Sequence, residues 1–438
     1  RSCLARFLDA LGKRDDVLIL PPDYTRFHSQ AGKITRMICE HYNFIPVETE
    51  DGHSNQEEKA VEEKRDIYGT GPNIEILPAL GTHAPMTEEE IRKMFGEELV
   101  KKTGSFIAHD WRNDVVTIGE APAEMVKKAT HGVVDRPWPA QLNKKVWEKR
   151  HQRQGRPRSL VLSIGQVVPH EVMGMANFNK NLFVGTGGVK AINLSHFIGA
   201  VHGMENMMGR KDNPLRDILN YASENFLEKQ LDLWYILTVI APDLSIRGFY
   251  IGRDIQCYNA ACDLSLKVNF TALDRPIQRC IAYMDPEEFH STWVANKSIY
   301  RTRMAMADGG KLIIIAPGVK QFGEDEKVGD MVKKYGYHGT KQTMKALDDN
   351  PELQDSLSAV AHLIHGSSEG RFDVVYAPGY LSREEIESVG FQYADLTDVC
   401  QRYNVNDLKD GWNTDEEGEF FYISNPALGL WTLESRIQ

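Results

Sequence analysis

Short runs of apolar, β-branched residues recur along the chain between stretches whose apolar positions fall every three or four residues. Five runs, Val17 to Leu20, Ile74 to Leu80, Leu160 to Ile164, Leu312 to Ala316 and Val374 to Ala377, predict strands. Strands alternating with helices predict an α/β fold. Thr87-Glu88-Glu89-Glu90 and Ser382-Arg383-Glu384-Glu385 carry the capping-box pattern, and Gly96 and Gly390 stand where C-caps belong, so two helices have marked ends. Leu233 to Ile240 and Arg247 to Gly252 flank a turn containing Pro-Asp and predict an antiparallel hairpin. Asp274-Arg275-Pro276 and Asp285-Pro286 then punctuate the chain before a new helix-and-strand series. The pattern predicts two α/β domains, residues 1–270 and 271–438, with a cleft between them and the C-terminal end packing back on the first. Prolines and basic residues interrupt the pattern from Arg136 to Arg158, which reads as a surface insertion.

Composition narrows the function classes. A chain of 438 residues exceeds what one hydrophobic core usually serves, and 42% hydrophobic with 26% charged residues is ordinary for a folded, water-soluble enzyme. The net charge of −11 disfavours nucleic acid as a partner. The one basic cluster, Lys144 to Arg158, reads as a solvated helix face leading into a loop rather than a phosphate-tracking patch. Six dispersed cysteines without metal or redox spacing fit reduced thiols in the cytoplasm. With no apolar run of membrane-span length and no signal-peptide pattern after Arg1, neither a membrane nor secretion is expected.

Candidate chemistry concentrates between Ile164 and Arg210, where His170, Lys180, Lys190, His196 and His202 stand among glycines. Taken alone, such a histidine is more often a hydrogen-bonded core residue than a ligand. Two strand-to-helix loops add Asp23-Tyr24-Thr25-Arg26 and Gly81-Thr82-His83-Ala84-Pro85, and in open α/β sheets ligands bind at the carboxyl ends of strands. Gly185-Thr186-Gly187-Gly188 lacks the spacing of a dinucleotide fingerprint. P-loop, serine-hydrolase elbow, zinc-protease and EF-hand motifs do not occur in the sequence.

His170, Lys180 ten residues on and His196 sixteen further, together with Asp23-x-Thr25-Arg26, the Gly81-x-His83-x-Pro85 loop and a lysine, Lys297, upstream of Gly309-Gly310, resemble the nickel-pincer nucleotide lactate racemases and their 2-hydroxy-acid racemase and epimerase relatives. The resemblance spans nearly the whole chain. It implies an isomerase that inverts the C2 carbon of a 2-hydroxy acid by transient hydride transfer. The cofactor it implies is the nickel-pincer nucleotide, pyridinium-3-thioamide-5-thiocarboxylic acid mononucleotide, carrying Ni. Lys180 would attach that nucleotide, His196 would ligate nickel, His83 and His170 would exchange the hydroxyl proton, Arg26, Lys297 and Trp293 would contact substrate, and Asp23, Thr25 and Arg26 would shape the cofactor environment. Cofactor-maturation proteins become partners beside the small-molecule substrate.

This sequence also departs from the family pattern. Phe27 follows Arg26 where short-substrate members have proline, and Phe178-Asn179 precede Lys180 where they have Gly-Gly, so Asn177 and Asn179 are candidates to replace backbone contacts with side-chain amides. Those polar residues tilt the expected substrate toward a polyhydroxylated sugar acid, such as an aldonate, over lactate. A relative that kept the fold but lost the chemistry, and an ordinary nicotinamide-dependent dehydrogenase, are the competing readings.

Overall fold

A computed structural model describes residues 2–46, 71–102, 104–150 and 158–436. Two sheets organise it, and each grows from the predicted runs. The first has the order Asn73–Ile76, Asp16–Leu20, Ser159–Gln166, Leu233–Ile240, Ile246–Gly252; its first four strands are parallel and the last is antiparallel. Parallel strands covered on both faces need continuous apolar residues, which explains why Ser159–Gln166 is buried along nearly all its length. The predicted hairpin is the final pair of this sheet, with Ile236 opposite Ile251. The predicted strand beginning at Ile74 stops at Ile76, and Ala79 instead bridges to Pro22, drawing two loops together beyond the strand ends.

The second sheet has the order Gln392–Tyr393, Asp373–Pro378, Met306–Ala316, Ile277–Tyr283, Gly418–Ile423, Gly411–Asp415, parallel except for its last pair. The helices predicted at Glu88–Phe95 and Arg383–Ser388 both carry complete capping boxes. Between the sheets, the helix Ile255–Asn269 runs into the short strand Phe270–Leu273, which pairs with Leu430–Leu433 from the far end of the chain. Asn269 ties that junction by donating from Nδ2 to the carbonyls of Ile240 and Leu428. We propose that the two domains divide here.

One core cluster crosses the division, joining Leu18, Trp138 and Phe183 to Leu347, Leu353, Leu357 and Val360. Its seam is the packing of helix Leu357–His365 against helix Val189–His202. The reading of Arg136 to Arg158 as a surface insertion is overturned for the described part. Trp138–Asn143 is a strand paired with Val115–Ala121, and Trp138 is fully buried with its indole N–H reaching Ala191 O and Ser195 Oγ. Lys149 is likewise no part of a solvated face, because its ammonium is buried against Asp16 (2.7 Å) and Glu75 (2.6 Å) and so clamps two neighbouring strands. Residues 151–157 of that stretch lie outside the described residues.

Candidate active site

The carboxyl ends of the first sheet's strands supply one wall of a cavity. After Leu20 the chain turns through Pro22 and Asp23 into a short 3-10 helix, Tyr24–Ser29, in which Arg26 departs from helical geometry and lines the cavity. Asp23 is buried; its Oδ1 accepts from Thr25 Oγ1 at 2.6 Å and its Oδ2 meets His83 Nδ1 at 2.5 Å. Thr25 thus orients Asp23, and Asp23 orients His83. Burial works to raise the Asp23 carboxyl, but the His83 ring beside it holds it below the ordinary carboxylate range. His83 responds in the opposite sense: desolvation pulls it down, while the Asp23 charge and hydrogen bond carry it above the ordinary imidazole value.

After Gln166 the strand continues into a narrow antiparallel turn that carries His170 on its first arm. His170 Nδ1 accepts the backbone N–H of Val172 at 3.1 Å, and burial holds the ring well below the ordinary imidazole range. Glu171 follows, with Oε2 buried and unpartnered among the described residues and 3.7 Å from His170 Nδ1. Burial opposes the charge on Glu171, yet the His170 ring first, then the cations Arg301 and Lys297, keep its carboxyl below the ordinary range.

Lys180 leads into a π-helical turn, Asn181–Gly185, of a kind found at functional sites. The approach to it is strained: Asn177 (φ 68°) and Phe178 (φ 60°) both adopt left-handed backbone. Such a conformation costs a non-glycine residue about 1–2 kcal/mol. The missing glycines therefore did not remove the turn. Phe178 is held in it by stacking on Tyr258 and packing against Tyr235, and Asn177 Oδ1 accepts its N–H at 2.7 Å. Asn179 does not face a ligand; it is fully buried, donating to Asn220 Oδ1 and accepting from Arg216 Nη1, which corrects the expectation that its amide contacts the cofactor. Burial first, then the Arg26 charge, brings the Lys180 amine down to about 8.

His196 lies on helix Val189–His202, with Nδ1 2.8 Å from Ile192 O. A carbonyl can only accept, so Nδ1 carries the proton and Nε2 keeps its lone pair. Burial depresses this ring to about 4, so it is neutral and able to ligate. The second half of the chain closes the cavity with Trp293, Lys297, Tyr300, His362 and His365. Lys297 is buried beside the Phe289 ring and brought down to about 8 by burial and by Arg26. Trp293 stacks on His362 with ring centroids 4.0 Å apart.

Asp23, Thr25, Arg26, His83, His170, Lys180, His196, Trp293 and Lys297 all line this one cavity, whereas Lys190 and His202, also singled out in the sequence, do not. A profile described as the lactate racemase N-terminal domain matches residues 61–135, a span that includes His83. The lactate racemase of Thermoanaerobacterium thermosaccharolyticum is 25% identical over 254 residues, which is 56% of this chain and 52% of that protein, so the match spans about half the length of the curated relative. Over part of its length the chain is therefore similar to lactate racemase.

Solved structures share the fold of this chain. A Thermotoga maritima protein solved by the Northeast Structural Genomics Consortium superposes with TM-score 0.79 at 23% identity, over 99% of this chain and 97% of that one. The lactate racemase apoprotein from Thermoanaerobacterium thermosaccharolyticum superposes with TM-score 0.65 at 18% identity, over 97% and 88%.

Several residues of the site had escaped the sequence reading. Glu171, adjacent to His170, and Arg301, one helical turn after Lys297, were open to detection as neighbours of predicted residues. His362 and His365 sit three apart on the otherwise apolar helix Leu357–His365, and both are held near 3 by burial. Two buried histidines on an apolar stripe are the signal that went unused. Among the described residues, no helix is long and apolar enough to cross a membrane.

Proposed function

We propose that this chain is a nickel-pincer nucleotide-dependent racemase or epimerase that inverts the C2 carbon of a 2-hydroxy acid. The observation that carries the reading is the convergence of His83, His170, Lys180 and His196 on one cavity, with the amine and imidazole in states suited to attachment and ligation. Among the described residues no three His, Cys, Asp or Glu side chains gather to hold an ion by themselves, so a metal on His196 needs donors from a bound cofactor. The free Nε2 of His196, its ring fixed by Ile192 O, would hold nickel, with the bound cofactor supplying the other donors. Lys180, whose amine is partly neutral near pH 8, suits covalent attachment.

When bound, such a pyridinium cofactor supplies a reversible acceptor for hydride, which spares the enzyme from removing a barely acidic α-proton. The chain's own groups bind and move protons around it. Arg26 has no carboxylate partner among the described residues, and with Lys297 it offers positive charge for the substrate carboxylate. His83 Nε2, with its Nδ1 proton committed to Asp23, is placed to take the C2 hydroxyl proton.

A sugar acid fits the remaining polarity better than lactate. Gln166 Nε2, Glu171 Oε2 and His365 Nε2 are buried polar atoms without partners among the described residues, and all three residues line the cavity. A substrate with further hydroxyls satisfies them, whereas a methyl group leaves them unpaired at a cost of about 1–3 kcal/mol each.

The test is intact-mass and metal analysis of protein made with and without cofactor-maturation proteins. A nucleotide-sized adduct on the unmodified chain, absent from Lys180→Ala, and nickel lost from His196→Ala but retained by His83→Ala, are the expected results. An adduct surviving in Lys180→Ala would falsify the attachment. Interconversion of an aldonate and its C2 epimer, faster than that of lactate and independent of added nicotinamide, is expected of the loaded enzyme.

A further inference from the structure

Glu171 lines the cavity, yet the inversion of C2 gives its carboxyl no task. Oε2 is buried and has no hydrogen-bond partner among the described residues, and His170 Nδ1, 3.7 Å away, is beyond hydrogen-bond reach. An ionised carboxylate only accepts, so whatever satisfies this oxygen must bring a hydrogen of its own.

The charge on Glu171 survives burial because cations stand near it. Burial opposes the ionised form, while the His170 ring, Arg301, the residue's own backbone N–H and Lys297 favour it. His170 is itself held neutral by burial, and Lys297 is brought down to about 8. Arg301, lowered by burial only to about 10, is therefore the lasting counter-charge at neutral pH. It lies on helix Lys297–Thr302, fully buried, with Nη1 donating to Gly429 O at 3.2 Å and with Nε and Nη2 unpartnered among the described residues. Tyr300 beside it lines the cavity, but Arg301 does not, so the guanidinium meets no ligand directly.

We propose that Glu171 determines which 2-hydroxy acid the cavity accepts: its carboxylate takes hydrogen bonds from hydroxyls on the substrate's chain and turns away a second carboxylate, while Arg301 is a positioning residue that keeps it charged. This rests on the racemase or epimerase reading above and narrows its substrate to a polyhydroxylated monoacid. With the first carboxylate at Arg26 and Lys297, the substrate's chain meets Glu171 Oε2 and Gln166 Nε2, an open acceptor and an open donor on the same wall. A hydroxyl both donates and accepts, so a run of hydroxyls can answer both atoms. A methyl group answers neither. A carboxylate answers Gln166 only, and sets like charge against Glu171 where little water screens it.

The experiment compares threonate with tartrate of matched configuration, which share hydroxyls at C2 and C3 and differ at C4 in carrying a hydroxymethyl group or a carboxylate. Lactate serves as the chain without further hydroxyls. Calorimetry on cofactor-free protein gives the affinities, and loaded enzyme gives kcat/KM for the same acids. The parent is expected to bind threonate about 10-fold or more tighter than lactate or tartrate, the worth of one buried acceptor left unpaired or opposed. Glu171→Gln keeps the size and adds an N–H, so the ratio of threonate to tartrate affinity should fall about 10-fold, chiefly through a gain for tartrate. Equal parent affinities for those two acids, or an unchanged ratio in Glu171→Gln, overturns the proposal.

Infrared difference spectra of the Glu171 carboxyl, assigned by its loss in Glu171→Gln, read the part of Arg301. The carboxyl should stay ionised from about pH 5 to about pH 8 in the parent, titrate inside that window in Arg301→Met, and be ionised throughout again in Arg301→Lys. A carboxyl still ionised across the window in Arg301→Met rejects the positioning role. The affinities do not depend on hydride transfer. Loaded enzyme that inverts no acid while the affinity order holds refutes the function and leaves the role of Glu171, whereas loaded enzyme that inverts tartrate as readily as threonate refutes that role and leaves the function.

Discussion

Among the described residues Arg216 has no carboxylate partner and yet it holds together the turn that presents Lys180, so Arg216→Met is the most informative single change outside the cavity. The guanidinium is 1% exposed. It donates from Nη1 to Asn179 Oδ1 at 2.5 Å and from Nη2 to Met175 O and Tyr258 Oη, both at 2.7 Å, while stacking on the Tyr258 ring at 4.7 Å. Three charge-assisted bonds contribute about 1.5–3 kcal/mol each, and leaving Asn179 Oδ1 buried and unpaired costs about 1–3 kcal/mol more. Against this, methionine removes a buried cation whose desolvation costs several kcal/mol. Met175 O also keeps the Tyr258 hydroxyl, so it is not orphaned. The balance is a net loss of about 2–4 kcal/mol. Urea unfolding measures it, provided the slope with denaturant is unchanged. The loss should be strongly non-additive with Asn179→Ala, because each variant removes the same bond. Since Phe178 sits in left-handed backbone beside Asn179, the turn is also expected to relax and adduct formation at Lys180 to fall. Stability within about 0.5 kcal/mol of the parent, or full additivity with Asn179→Ala, would refute the view that Arg216 pins this turn.

The other expectations concern protons. Lys180, at about 8, should be acylated by an amine-selective reagent near pH 8 well ahead of surface lysines, which peptide mass mapping measures; labelling no faster than that of Lys102 contradicts its lowered value. Asp23→Asn should lower the His83 titration midpoint by NMR. Because His83 is raised and Asp23 is depressed, the stability their pairing adds is present between the ordinary carboxylate and imidazole values; it fades as pH falls through the Asp23 value or rises through that of His83. A variant-to-parent difference that grows above neutral pH contradicts that sign. His362 and His365, held near 3, are bound neutral in the fold, so stability is intact above about pH 6.5 and falls below it by up to about 1.4 kcal/mol per pH unit for each ring. His365→Leu should flatten the acid limb of a thermal-melt profile by one proton, and an unchanged slope rejects the assignment.

The first sheet was legible because its burial demands leave a one-dimensional trace. A parallel strand such as Ser159–Gln166 must be apolar on both faces, and the run Leu160 to Ile164 says so directly. The capping boxes at Thr87 and Ser382 are local by nature, each a side chain answering a backbone N–H three residues away. Trp138–Asn143 was missed because Pro139 within it, Pro137 just before it and its basic flanks mimic a loop, while the reason for the strand is distant: Trp138 reaches across to Ala191 and Ser195. Nothing within ten residues of Trp138 encodes that.

The site divides along the same line. His170, Lys180 and His196 were found by spacing, which is a sequence property, but what each can do depends on partners that spacing does not carry. Ile192, four residues before His196 on the same helix, could have been anticipated as the carbonyl that fixes its ring. Asp23 is sixty residues from His83, and Phe178 keeps a glycine-like turn only because Tyr235 and Tyr258 arrive from elsewhere in the fold. The case of His170 is the sharpest, since the group deciding its tautomer is the backbone amide of Val172, present whatever side chain stands there. Histidine content and spacing therefore locate such a centre, whereas the direction in which each histidine can pass a proton is set by which backbone or carboxylate group lies behind it.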